Sequence, residues 1–257
     1  MRVIGNINDN KPKKTNKKLK IKYLWQLAEK DKPKKRVIGI WSDTHFPFTV
    51  EGYLEFVIET FVRYGVSDIV CDGDMVDNHS LSRHDSHPEA VGTVTEKELS
   101  QALVDKYVEV FPVVKYVLGN HCRIPQRQAA TLGLPEGYLK SFSELWNLPD
   151  EWDVAEKHII NKVMYTHGTG SGGKDGAINA AIRNRMSTVI GHSHAYAGIK
   201  FNNNGLDTIF GMNVGCGVDN DTYAMAYGKD YPNKPVISCG IVFDNCNGMV
   251  VVMKGEK

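Results

Sequence analysis

The residues of this chain that could do chemistry sit in short polar clusters, each just after a short apolar run. Asp43 and His45 follow residues 36–41, Asp74 and Asp77 follow Asp68–Cys71, and Asn120 and His121 follow residues 113–118. His167 follows residues 162–166, and His192 and His194 follow residues 188–190. Imidazole and carboxylate donors together suit Mn, Fe, Zn or Ni better than Ca or Mg alone. The spacing of two in Asp43/His45 and His192/His194 matters, because on extended chain such residues point to the same side. Each pair can therefore grip one cation, where a helix would need a spacing of four.

Regular elements must bring these clusters together. The run RVIGIW at 36–41 suits a buried strand, and 68–71 and 113–118 repeat the pattern. Between them, residues 52–64 place Leu54, Val57, Ile58, Phe61 and Val62 at helical spacing, and residues 95–110 do so with Leu99, Leu103, Tyr107 and Val110. Strand, polar turn and helix in repetition imply α/β architecture with a largely parallel first sheet. In such sheets ligands bind beyond the carboxyl ends of the strands, where the clusters lie. The second half reads as short strands at 162–166, 188–190, 197–201, 208–213, 236–243 and 249–254, with one helix at 175–186. Residues 21–30 suggest a short helix packed on the body. Residues 122–158, with Pro125, Pro135 and Pro149, read as irregular chain with short helices.

Asp43-Thr44-His45, Gly73-Asp74-Met75-Val76-Asp77, Gly119-Asn120-His121, Thr166-His167-Gly168 and Gly191-His192-Ser193-His194 resemble, in order, the five signature blocks of calcineurin-like metallophosphoesterases. The resemblance implies a four-layer α/β/β/α sandwich with two mixed sheets. It implies one metal held by Asp43, His45, Asp74 and His194, and a second by Asp74, Asn120, His167 and His192, with Asp74 bridging. Two cations ~3.5–4 Å apart acidify a water between them into a nucleophile and neutralise phosphate charge. His121 would be the general acid or charge stabiliser facing the leaving group, and Asp77 its partner. The implied cofactor is a pair of divalent transition metals, manganese first. The implied reaction is hydrolysis of a phosphoester, first a phosphodiester of nucleic acid or nucleotide. A phosphomonoesterase and a catalytically inactive scaffold of the same fold are the alternatives. The presence of every implied ligand argues against the scaffold.

Two positions depart from the pattern. Cys122 stands where an acidic residue often follows the third block. Asn78 stands where protein phosphatases carry a phosphate-gripping Arg, which points away from that substrate class. Arg83 and Arg123 are candidate replacements, and Asn78 itself could face substrate. Gly168–Lys174 nearly fits a phosphate-binding P-loop, but Asp175 occupies the place of the required Ser or Thr. The remaining reading is a Gly-rich loop whose Lys174 touches substrate phosphate at a helix start. His79, His84 and His87 read as loop residues and His158 as structural.

The 257 residues are 42% hydrophobic and 24% charged, the balance of a soluble globular chain with a substantial core. No apolar run reaches the roughly 20 residues of a membrane helix, and the N-terminus lacks the apolar stretch of a secretory signal. Cys71, Cys122, Cys216, Cys239 and Cys246 are odd in number and form no CxxC pair, so they read as free thiols of a reducing, cytoplasmic compartment. Net charge is +1, yet residues 1–35 carry 12 basic against 3 acidic side chains, +9, leaving −8 on residues 36–257. This divides the chain into a basic, partly disordered arm over 1–35 and a metallophosphoesterase-like domain over 36–257. A solvated tail is the plain reading of the arm, and non-specific attraction to nucleic acid the sharper one.

Overall fold

A computed structural model describes residues 23–82, 88–223, 225 and 232–254. Arg83, His84 and His87 lie outside the described residues, as do positions 1–22 of the arm.

Two mixed sheets face each other. The first is built on β1 (Ile38–Trp41), β2 (Asp68–Cys71), β3 (Val114–Val117) and β4 (Trp152–Ala155), all parallel. Antiparallel β10 (Ser238–Asp244) and β11 (Asn247–Val252) extend it past β1, giving the order β11-β10-β1-β2-β3-β4. The second sheet runs β5-β6-β7-β9-β8, from β5 (His158–Ile160), β6 (Val163–Tyr165), β7 (Ser187–Ile190), β8 (Ala197–Asn203) and β9 (Thr208–Val214). Here β6, β7 and β9 are parallel, and β5 and β8 close the edges antiparallel.

Strand alternation makes two cores from these sheets. Ile38, Ile40, Val70 and Val117 point at Val163, Tyr165, Val189, Phe210 and Met212 across the space between the sheets. On the opposite face, Trp41, Ile69, Cys71 and Tyr116 pack with Val57 and Phe61 of α1 (Tyr53–Arg63) and Val104 and Tyr107 of α2 (Thr93–Val110). Helix α5 (Gly176–Asn184) covers the outer face of the second sheet, against β7, β8 and β9. The layers are therefore α/β/β/α, as the resemblance implied.

Several expectations need correction. Residues 21–30 hold no α-helix among the described positions: Leu24–Gln26 and Glu29–Asp31 are 3-10 turns. Trp25 still enters the core, its Nε1 donating to the Val110 carbonyl at 3.1 Å, so the chain packs on the body ahead of residue 36. In α2 the buried positions are Glu96, Ser100, Val104 and Tyr107, while Leu99 is 48% exposed. The helix is turned because Glu96 is recruited inward, accepting from the backbone N–H groups of His79 and Ser80 at 2.7 Å each. Residues 122–158 contain α3 (Ile124–Thr131) and α4 (Phe142–Leu145) but also β4 and the first residue of β5, whose brief runs among charged residues leave little period to read. No described helix is long and apolar enough to cross a membrane.

Candidate metal centre

Each polar cluster is the turn that leaves the carboxyl end of a strand: β1, β2, β3, β6 or β7. The turns are tied to one another through backbone. Asp43 N–H donates to the Gly73 carbonyl at 3.0 Å, His45 N–H to that of Asp74 at 3.1 Å, and Gly191 N–H to that of His167 at 3.1 Å. Asp43, His45, Asp74 and His192 all have positive φ, between 46° and 64°. Non-glycine residues hold this left-handed region at a cost, and such strain concentrates at functional sites. The glycine before a donor has a separate reason. A Cβ on Gly119 would lie 2.0 Å from Asp74 Oδ1, and one on Gly191 2.3 Å from Asp43 Oδ2.

The side chains converge in three overlapping groups whose donor atoms lie within 4.8 Å of one another: Asp43, His45 and His194; His45, Asp74 and His121; Asp74, His167 and His192. His194 Nε2 is 3.0 Å from Asp43 Oδ1 and 3.2 Å from His45 Nε2. His167 Nε2 is 2.8 Å from Asp74 Oδ2 and 3.0 Å from Asn120 Oδ1. All seven residues expected to hold metal thus meet in one place, and Asp74 belongs to two of the groups.

The donor set fits divalent metal. The far nitrogen of His167, Nδ1, is 2.9 Å from the Asp72 carbonyl, which leaves Nε2 for a cation, and that of His45 is 2.5 Å from Asp77 Oδ1. Such outer partners orient ligating imidazoles. Charge is also concentrated here. Burial favours the neutral acid in Asp43, Asp74 and Asp77, yet the neighbouring histidines outweigh it and hold all three below the usual carboxylate range. Conversely, burial opposes charge on His45 and His167, but hydrogen bonds and attraction from the aspartates raise both to about 10. His192, facing burial and the His167 charge, is lowered. Deprotonated imidazoles beside ionised carboxylates are what a divalent cation would stabilise.

Other expected residues fall in different places. His121 Nδ1 is 2.7 Å from the Asp77 carbonyl and 3.2 Å from its Oδ1, so Asp77 serves both His121 and His45, a double role sequence alone did not suggest. Burial and the His45 charge oppose protonation of His121, yet Asp77 and Asp74 prevail and raise it. Asn78 is buried and donates from Nδ2 to the His121 carbonyl at 3.0 Å, holding that turn. Arg123 lines a cleft beside Asn120 and His167 but is ion-paired with Glu156. Lys174 is exposed and lines a separate cleft with Lys200. The Gly-rich loop before it is tied to the fifth cluster through Gly173 N–H and Ser193 Oγ at 3.1 Å. His158 is buried, its Nε2 against the Tyr116 and Asp153 carbonyls.

Sequence reading missed the walls of the cleft over the donor groups. A cavity of about 260 Å³ opens over Asp74, Asn120, His121 and His192 and is closed by Tyr196, Asn220 and Asn233. These lie in irregular chain with neither period nor motif to mark them. It also missed Asn213, whose Nδ2 donates to the Ser193 carbonyl at 3.3 Å and steadies the His192–His194 turn.

No family model matches the chain, and no curated protein sequence matches it either. Solved structures do. One is vacuolar protein sorting 29 of Cryptosporidium parvum, at TM-score 0.43 and 11% identity, over 86% of this chain and 98% of that one. Another is Yfce, a phosphoesterase of E. coli, at TM-score 0.43 and 18% identity, over 80% of this chain and 87% of that one. A third is a protein serine/threonine phosphatase of Saccharomyces cerevisiae, at TM-score 0.41 and 11% identity, over 87% and 81%. These solved structures, to which the chain is similar, are members of the calcineurin-like metallophosphoesterase fold.

Proposed function

We propose that the chain is a metal-dependent phosphoesterase that hydrolyses a phosphodiester of nucleotide or nucleic-acid type. The observation that carries this reading is the convergence of Asp43, His45, Asp74, Asn120, His167, His192 and His194 from five separate turns, with Asp74 shared between donor groups. Asp43, His45, Asp74 and His194 would hold one divalent cation, and Asp74, Asn120, His167 and His192 a second. When bound, such a pair acidifies water and neutralises charge that builds on phosphate oxygens.

The protein's own groups then have distinct tasks. His121, its side chain 23% exposed and lining the 260 Å³ cleft, gives a proton to the departing oxygen. Its raised affinity for that proton suits an acid near neutral pH. Asp77 fixes the ring through Nδ1, so that Nε2 is the nitrogen left for substrate. Asn78 holds the His121 backbone from the other side. The basic arm would raise the local concentration of a polyanion without entering the chemistry, an effect that salt screens.

The experiment is a hydrolysis panel with Mn added: a chromogenic diester, a chromogenic monoester, cyclic nucleotides and DNA. The expected result is turnover of diesters above monoesters, lost in Asp74→Asn. Monoester preference would reassign the substrate class, and no turnover with any metal would leave the scaffold alternative.

A further inference from the structure

Asn120 is a meeting point of clefts. The 260 Å³ cavity lies on the side of His192 and His194. On the other side of His121 lies a cleft of about 640 Å³, walled by Asn120, His121, Arg127, Gln128 and Thr131. Its volume falls in the range of ~300–1,000 Å³ usual for ligand sites. No carboxylate lines it among the described residues.

Among the described residues that line it, Arg127 is the one permanent cation. The guanidinium donates from Nη2 to the backbone carbonyl of Asn120 at 3.0 Å, and it has no carboxylate partner among the described residues. Neighbouring Arg123 differs, since Glu156 neutralises it. Arg127 sits on α3, which begins three residues after His121 and is held to the 3-10 turn His79–Leu81 by Gln128 Nε2 donating to the Leu81 carbonyl at 2.6 Å. A guanidinium has five donors in a fixed fork, and one is engaged by Asn120. The rest are free to take the two oxygens of a phosphate, in a setting where one hydrogen bond already limits its rotamers. Residues 36–257 as a whole carry −8, so a polyanion approaching this body needs such a local cation.

Building on the diesterase reading, we propose that the cleft between His121 and Arg127 is a subsite for a second phosphate of the substrate. That phosphate lies one linkage beyond the scissile one on the leaving-group side. The site then takes a nucleic-acid strand, or a dinucleotide with a terminal phosphate, in preference to an isolated diester. Arg127 binds the phosphate that is not broken and takes no part in bond cleavage.

The test is calorimetric binding of thymidine dinucleotides joined by a cleavage-resistant phosphorothioate, with no terminal phosphate, a 5′ phosphate or a 3′ phosphate. Both ends are tried because strand direction is open. Wild type should bind one terminally phosphorylated form about 10-fold or more tighter than the unphosphorylated one, the scale of a hydrogen bond to a charged group. Arg127→Ala should abolish the difference, and Arg127→Lys, a point charge without the fork, should keep part of it. Equal affinity in wild type, or a difference that survives Arg127→Ala, would overturn the subsite. So would equal weakening of all three ligands by Arg127→Ala, which would reduce Arg127 to a support for Asn120. Because binding is read without cleavage, a protein that shows the difference but hydrolyses nothing would fail the diesterase reading and keep the subsite.

Discussion

Asp77 is the side chain whose position asks most of the site. Its Oδ1 lies 2.5 Å from His45 Nδ1 and 3.2 Å from His121 Nδ1, so one carboxylate orients an implied metal ligand and the implied acid. The two roles separate under mutation. His121→Ala should leave metal content unchanged and lower kcat by ~10²–10⁴-fold, the usual contribution of a general acid. Asp77→Asn should lower kcat and also weaken metal binding by ~10–100-fold, because His45 loses its outer partner. Steady-state kinetics with a chromogenic diester, run beside a metal titration of each variant, separates the outcomes. Loss of metal in His121→Ala would make that histidine a ligand, a role its place in the group with His45 and Asp74 also permits.

The turns are what make such precision possible, and they are built on close approach. Gly191→Ala would drive a methyl group to 2.1 Å from Ser42 Oγ and 2.3 Å from Asp43 Oδ2 in a buried turn. Relief must come from moving Asp43 or the His192 turn, so we expect a loss of ~1–3 kcal/mol in denaturant unfolding together with reduced metal affinity. A variant with wild-type stability and metal content would mean that the turn yields freely. The same turns explain what the sequence disclosed. Strands such as Asp68–Cys71 are short apolar runs punctuated by Gly and Asp, and the observed β2 has those bounds. Donors at strand ends were legible because motif and element coincide. The inward face of α2 was not, because Glu96 is buried to serve the His79–Ser80 backbone, a tertiary demand that overrides the apolar stripe. Nor were Tyr196, Asn220 and Asn233, which reach the cleft through irregular chain, or Arg127, which matters by its place beside Asn120.

For the molecule as a whole, the buried charges tie stability to pH. In metal-free protein His45 and His167 are raised from 6.5 to about 10, so their stabilisation is complete below pH 6.5 and lost as pH rises through about 10. Asp43, Asp74 and Asp77 are lowered from 3.8, so theirs is complete above that value and lost as pH falls. Melting temperature without metal should therefore peak between those limits and decline on the alkaline side. Added Mn should release protons near neutral pH, and its affinity should keep rising until about pH 10, because it competes with the protons on His45 and His167. A melting temperature that rises steadily to alkaline pH in the metal-free protein would contradict this charge assignment. The central claim is that the five turns form one site for two cations with Asp74 between them, and metal stoichiometry tests it most directly. Protein purified without chelator, equilibrated with Mn and analysed for metal should approach two ions per chain, and Asp74→Asn should lose both together. Saturation of the wild type at one ion, or an Asp74→Asn protein that keeps two, would contradict it.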